Sequence, residues 1–182
     1  QDHFGYSNSI SSDGYTLAVG APQNNLQNGT DLGHVRVYKF DGLNWIQAGQ
    51  DINGIGNGSA GWDVSISGDG SLLILGSPHS SPNGGGSGQA LLYQLDSNNW
   101  NQIGVINGQS QGDFLGWDTD MNRAGTKVAV SSYLSSGGPS GQATGLVQVF
   151  DIQSTLNVND NAQDLIPSIF PNPSNSMIRL NS

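Results

Sequence analysis

A glycine-aromatic pair returns along this chain at a nearly fixed interval: Gly5-Tyr6, Gly61-Trp62 and Gly116-Trp117, 56 and then 55 residues apart. Each pair opens the same series. A turn glycine follows at Gly14, Gly70 and Gly125. Next comes an apolar run: Thr16-Leu17-Ala18-Val19-Gly20, Leu72-Leu73-Ile74-Leu75-Gly76 and Lys127-Val128-Ala129-Val130-Ser131. A polar loop leads to a second run, Gly33 to Tyr38, Gly88 to Tyr93 and Gly145 to Phe150. Two copies close on an Asn-Trp segment, Asn44-Trp45-Ile46-Gln47 and Asn99-Trp100-Asn101-Gln102.

Each copy reads as four short strands. In Trp62-Asp63-Val64-Ser65-Ile66-Ser67 apolar and small polar residues alternate, the period of a strand with two unlike faces. Ser12-Asp13-Gly14 and Gly68-Asp69-Gly70 follow the first strand. Asp-Gly between alternating segments is a strong hairpin signal, because glycine accepts the positive φ that the turn needs. The second strand is almost continuously apolar, which predicts burial on both faces. The expected fold is therefore all-β: consecutive four-stranded antiparallel blades of a β-propeller, in three repeats of about 55 residues. The repeats span about 1–52, 53–108 and 109–153. A polar linker covers 154–164, and an apolar segment, 165–182, closes the chain. Three blades fall short of a closed ring, so the chain reads as a fragment of a larger propeller. Its uncovered end sheets predict low stability or self-association. The loops after the second strand, 22–31, 79–87 and 132–144, are rich in Gly, Asn, Ser and Pro and are expected to be mobile.

Charge narrows the partners. Five Lys+Arg stand against fourteen Asp+Glu, a formal net charge of −9. This disfavours nucleic acid and anionic membrane surfaces. No apolar stretch reaches the roughly 18 residues that a membrane span needs. Without cysteine, thiolate catalysis and disulfides are excluded.

The series Phe4-Gly5-Tyr6-Ser7 … Gly20-Ala21-Pro22 resembles the FG-GAP repeat of integrin-type β-propellers. The second copy keeps Gly76-Ser77-Pro78, and the third departs to Ser131-Ser132-Tyr133. The resemblance covers about residues 2–153. It implies calcium binding at Asp-rich loops between the first two strands. The first two copies offer one carboxylate each there, Asp13 and Asp69. The third offers Asp118, Asp120 and Asn122 in alternation, the one calcium candidate of the chain, since calcium takes six to eight oxygens. The competing reading makes these three residues solvated edge and turn positions, with Arg123 inside the loop. Ile166-Pro167-Ser168-Ile169-Phe170-Pro171-Asn172-Pro173 resembles the opening of a C-terminal sorting domain of the type IX secretion system of Bacteroidota. It implies a secreted or outer-membrane-surface protein handled by that machinery.

No catalytic constellation emerges. His3, His34 and His79 lack metal-ligand spacing. His34 reads as a packed or edge histidine and His79 as a solvated loop residue. Gly84 to Gly88 lacks the lysine and helix of a phosphate loop. Asp41, Asp96 and Asp151 recur at one repeat position, which points to turn chemistry. Trp45 and Trp100 read as packing residues between blades, and Trp62 and Trp117 as core. The expected function is a secreted or surface-attached binding or adhesion module for a protein or carbohydrate ligand, without catalysis in this segment. The alternative is part of a propeller hydrolase or lyase whose catalytic residues lie in other blades.

Overall fold

The computed structural model describes residues 2–24, 32–135 and 145–152, and the backbone of 170–171. Within them the chain forms three antiparallel sheets and no helix. The first sheet holds β1 (Ser7–Ile10), β2 (Thr16–Ala21), β3 (His34–Phe40) and β4 (Trp45–Gln47), with β5 (Ile52–Asn53) also on β3. The second holds β6 (Val64–Ile66), β7 (Leu72–Ser77), β8 (Gln89–Asp96) and β9 (Asn99–Asn107). The third holds β10 (Leu115–Met121), β11 (Lys127–Ser132) and β12 (Leu146–Asp151), closed by β13 (Phe170–Pro171). The strands lie side by side in chain order, except that β5 pairs with β3 rather than β4.

β13 extends the pattern. Phe150 and Asp151 pair with Pro171 and Phe170, so the first two residues of the Phe-Pro-Asn-Pro element take a fourth-strand place in the third sheet. Otherwise the linker and C-terminal segment lie outside the described residues, as do most of the loops 22–31 and 132–144.

The turns form for the reasons their residues supply. Ser11 Oγ donates to Asp13 Oδ1 at 2.6 Å and accepts the Thr16 amide at 2.9 Å. Ser67 and Asp69 repeat this arrangement with the amides of Ser71 and Leu72. Asp41 Oδ1 accepts the amides of Leu43 and Asn44. These are side chains replacing backbone partners in tight turns.

The middle sheet explains the apolar runs. Leu73, Leu75, Leu91 and Tyr93 face the first sheet and join Ala18, Val35, Val37, Ile66 and Trp100 in one core. Ile74, Ala90 and Leu92 face the third sheet and join Leu115, Met121, Val128, Val130 and Phe150 in another. Successive side chains of a strand point to opposite faces, so a strand covered on both sides needs an unbroken apolar run. Trp100 is 2% exposed, and its indole N–H donates to Ala48 O of the first sheet at 2.9 Å. Trp45, read as its counterpart, is 42% exposed and rests on Phe40 instead.

The sheets meet through backbone that tolerates no side chain. A Cβ on Gly20 would lie 2.2 Å from Gly61 O, and one on Gly76 would lie 2.0 Å from Gly116 O. In the first two sheets the glycine near the end of the second strand thus sits against the glycine opening the next repeat. Both recurring glycine elements have one cause, the close approach of neighbouring sheets.

Candidate functional site

The first strands carry a ladder of side-chain contacts from one sheet to the next. Ser9 Oγ accepts the Ile66 amide at 3.1 Å, and one repeat later Ser65 Oγ accepts the Met121 amide at 3.0 Å. Asp63 Oδ2 accepts both the Thr119 amide, at 2.7 Å, and Thr119 Oγ1, at 2.8 Å. Burial in this junction pushes the Asp63 carboxyl above its ordinary pKa, against the lowering effect of the Thr119 bonds, and the nearby Asp118 charge pushes it the same way as burial.

This ladder accounts for the candidate calcium residues. Asp118 occupies the repeat position of Asp63, Asp120 that of Ser65, and Asn122 that of Ser67. Asn122 is a turn residue: its Oδ1 accepts the amides of Thr126 and Lys127 at 2.8 and 2.9 Å. Asp120 Oδ1 accepts its neighbour Met121 N and, at 3.3 Å, Ser65 Oγ. Asp118 and Asp120 are exposed. Among the described residues no group of three His, Cys, Asp or Glu side chains converges on a common point.

A second assembly was not visible as such in the sequence. The aromatic partners of the recurring glycines form a row at one end of the sheets. Tyr6 and Trp62 have ring centroids 5.1 Å apart, Trp62 and Trp117 4.9 Å, and Trp117 and Tyr133 4.7 Å, the last pair stacked at 23°. His79 packs edge-on against Trp62 at 5.1 Å, and Phe114 edge-on against His79 at 5.8 Å. Tyr6 and Tyr133 are about half exposed, and Trp62, His79, Phe114 and Trp117 are partly exposed. Trp62 and Trp117, expected in the core, are partly exposed and pack against each other across the junction. The signal that could have found the row was the recurrence of an aromatic at one repeat position, which places like side chains side by side on stacked sheets.

Local backbone holds the row in place. Phe114 sits in the left-handed region at φ 50°, a costly conformation for a bulky residue. Its ring lies so close to Gly86 that a Cβ there would come within 2.9 Å. The loop carrying Gly86, expected to be mobile, is fastened instead. Phe114 N donates to Gly86 O, Gly112 N to Gly85 O, and Asn83 Nδ2 to Gly108 O. Glycines let this loop lie flat against the segment 108–114 that joins β9 to β10. His79, expected to be solvated, is enclosed by rings. Among the described residues its buried Nδ1 has no hydrogen-bond partner, and burial lowers its pKa, which favours the neutral imidazole. His34, the first residue of β3, is packed at 3% exposure, within the expectation of a packed or edge histidine.

Among the described residues no helix is long and apolar enough to cross a membrane. No protein-family model matches the chain, and no curated protein matches it. Solved structures do. KlAtg21, in its complex with the coiled coil of AgAtg16, is similar with a TM-score of 0.55 and 14% identity, over 80% of this chain and 39% of that one. A protein named as a putative 6-phosphogluconolactonase from Bacteroides uniformis is similar with a TM-score of 0.52 and 12% identity, over 85% of this chain and 38% of that one. The chain spans about two fifths of the length of each. At such identities the likeness is one of fold alone.

Proposed function

We propose that the three sheets are consecutive blades of a β-propeller and that the chain is a non-catalytic binding module, with the row Tyr6, Trp62, Trp117 and Tyr133 as its contact surface for a neutral carbohydrate. The observation that carries this reading is the row itself: four rings in succession, each about 5 Å from the next, the outer two about half exposed and the inner two partly exposed. Flat aromatic faces take up the C–H faces of sugar rings, burying apolar surface while the sugar hydroxyls stay hydrated. Partly exposed, rigid aromatic clusters are where binding energy concentrates. The charge balance of the chain favours a neutral over an anionic glycan. The propeller reading is supported by the fixed repeat period and by the packing of first strands on first strands, β6 on β1 and β10 on β6.

A protein ligand is the second reading, favoured by KlAtg21 having been solved with a coiled-coil partner. Placement outside the cell rests on the Phe170-Pro171-Asn172-Pro173 element and its resemblance to a sorting signal. Calcium at Asp118, Asp120 and Asn122 is not part of the reading, because the turn already uses Asn122 Oδ1.

Titration of the chain with a panel of neutral oligosaccharides, followed by tryptophan fluorescence, tests the proposal. A saturable change that Trp117→Ala abolishes and Trp45→Ala preserves supports it. Absence of any change across the panel, or binding indifferent to Trp117→Ala, overturns it.

A further inference from the structure

Along the third strand of each sheet, backbone groups that a fourth strand must meet alternate with groups already met by the second. In the first sheet Phe40 N donates back to Tyr15 O. Asp41 N donates instead to Asn44 O at 3.0 Å, and Val37 O accepts the Ala48 amide at 2.8 Å. Opposite Phe40 and Tyr38 stand Trp45 and Gln47. Facing residues of an antiparallel ladder exchange both bonds or neither, so the amides of Trp45 and Gln47 point off the sheet. The second sheet keeps this parity. Leu95 N donates back to Ser71 O, and Trp100 stands opposite Leu95. The Trp100 amide leaves the sheet and meets Gln50 Oε1 at 3.0 Å.

In the third sheet Ile152 N donates to Thr126 O at 2.8 Å, so by the same alternation Phe150 and Gln148 bond to β11. Asp151, Val149 and Val147 therefore face away from β11. β13 meets the first of them, with Phe170 opposite Asp151 and Pro171 opposite Phe150. Pro171 thus holds the place of Trp45 and Trp100. The backbone nitrogen is turned outward there, and a residue without an N–H loses no ladder bond. Among the described residues nothing stands opposite Val149 and Val147. Their counterparts in the first two sheets are met: Lys39 by Ile46, Val37 by Ala48, Gln94 by Asn101 and Leu92 by Gly104.

We propose that residues 172–174 carry β13 on along β12, so that Phe170-Pro171-Asn172-Pro173-Ser174 is the fourth strand of the third sheet and the partner of its open edge at Val147 and Val149. The register of β13 sets Asn172 opposite Val149, Pro173 opposite Gln148 and Ser174 opposite Val147. Pro173 then takes the place of Gln47 and Gln102, outward like Pro171. Asn172 and Ser174, which carry N–H groups, fall where carbonyls of β12 face the edge. Prolines two residues apart match the two-residue period of a strand. Both ring nitrogens lie on the solvent edge and both donors on the inner one. Proline on an edge strand withholds donors from any further strand, which protects the sheet from edge-to-edge pairing. A receptor that reads this element in extended form must first lift it from β12. The proposal rests on strand register and not on the carbohydrate reading, so either can fail without the other.

Residue-resolved amide hydrogen exchange of the full chain tests it. The Val147 and Val149 amides are expected to be protected in the wild type. Asn172→Pro places a residue without an N–H against Val149 and is expected to speed their exchange by about tenfold or more. Pro173→Ala changes an outward position and is expected to leave it unchanged. The Val128 and Val130 amides of β11 report whether the sheet itself stays folded. Should Asn172→Pro disturb these as well, Ser174→Pro decides: it is expected to release Val147 while Val149 stays protected. Val147 and Val149 amides that exchange as fast in the wild type as in Asn172→Pro overturn the proposal. So does a loss of protection in Pro173→Ala equal to that in Asn172→Pro, or protection of Val147 indifferent to Ser174→Pro.

Discussion

The junction between the second and third sheets and the outer face of the third are built from the same repeat positions, yet they behave differently. At the junction, Asp63 binds Thr119 across the gap and its carboxyl is pushed upward by burial. On the outer face, Asp118 holds the same place and is exposed. Gly76 meets the carbonyl of Gly116, whereas Ser131 points its hydroxyl back into its own sheet. The comparison teaches that in a stacked-sheet protein a residue's environment is set by the neighbouring sheet as much as by its own strand. Asp118, Asp120 and Asn122, which alternate like a metal loop in sequence, occupy the repeat positions of Asp63, Ser65 and Ser67, whose side chains serve the junction and the turn.

The comparison can be broken most severely at the first junction. Trp100→Ala removes a ring at 2% exposure and its bond to Ala48, and should cost about 3–5 kcal/mol. Trp45→Ala, at 42% exposure, should cost less than about 1 kcal/mol. Urea denaturation of both variants measures the contrast; equal losses would mean that the two tryptophans share one environment.

Gly76→Ser gives the second junction the residue that the third sheet carries on its outer face. The added Cβ meets Gly116 O, so the sheets must separate, at about 1–3 kcal/mol. Ser131→Gly on the outer face should change stability of the monomer by about 0.5 kcal/mol or less beyond its own hydrogen bond. Thermal unfolding at low protein concentration reads both.

Asp63 separates hydrogen bonding from charge. Asp63→Ala leaves the Thr119 amide and hydroxyl unpaired and should cost about 1–3 kcal/mol. Asp63→Asn keeps an acceptor without the buried charge. The folded pKa of Asp63 lies above the ordinary 3.8, so its favourable contribution is complete below 3.8 and is lost as pH rises through the folded value. The Asn variant should therefore match or exceed the wild type at pH 7, and its advantage should shrink on acidification. An Asn variant as unstable as the Ala variant at pH 7 would show that the charge itself is needed.

The smallest effect belongs to the histidines. Burial holds His34 and His79 below the ordinary 6.5, so below that pH the unfolded chain takes up protons that the folded chain refuses. Stability should fall as pH drops from 6.5 towards the folded values, and His79→Gln should flatten part of that slope.

What the sequence determined by itself was local. Strands, Asp-Gly turns and the repeat interval follow from side-chain alternation, from glycine's tolerance of positive φ and from Asp, Asn or Ser hydrogen bonds within a few residues. Those interactions act over distances that the sequence spells out directly. The unbroken run Leu72 to Leu75 even announced a sheet covered on both sides. What only the tertiary structure decided was which of several equivalent residues face a neighbour. Trp45 and Trp100 stand in like segments and differ twentyfold in exposure. Trp62 and Trp117 share a surface row with Tyr133, which no repeat rule places there. The reason is physical: burial and aromatic stacking depend on atoms some 55 residues away, brought within about 5 Å only when the sheets stack.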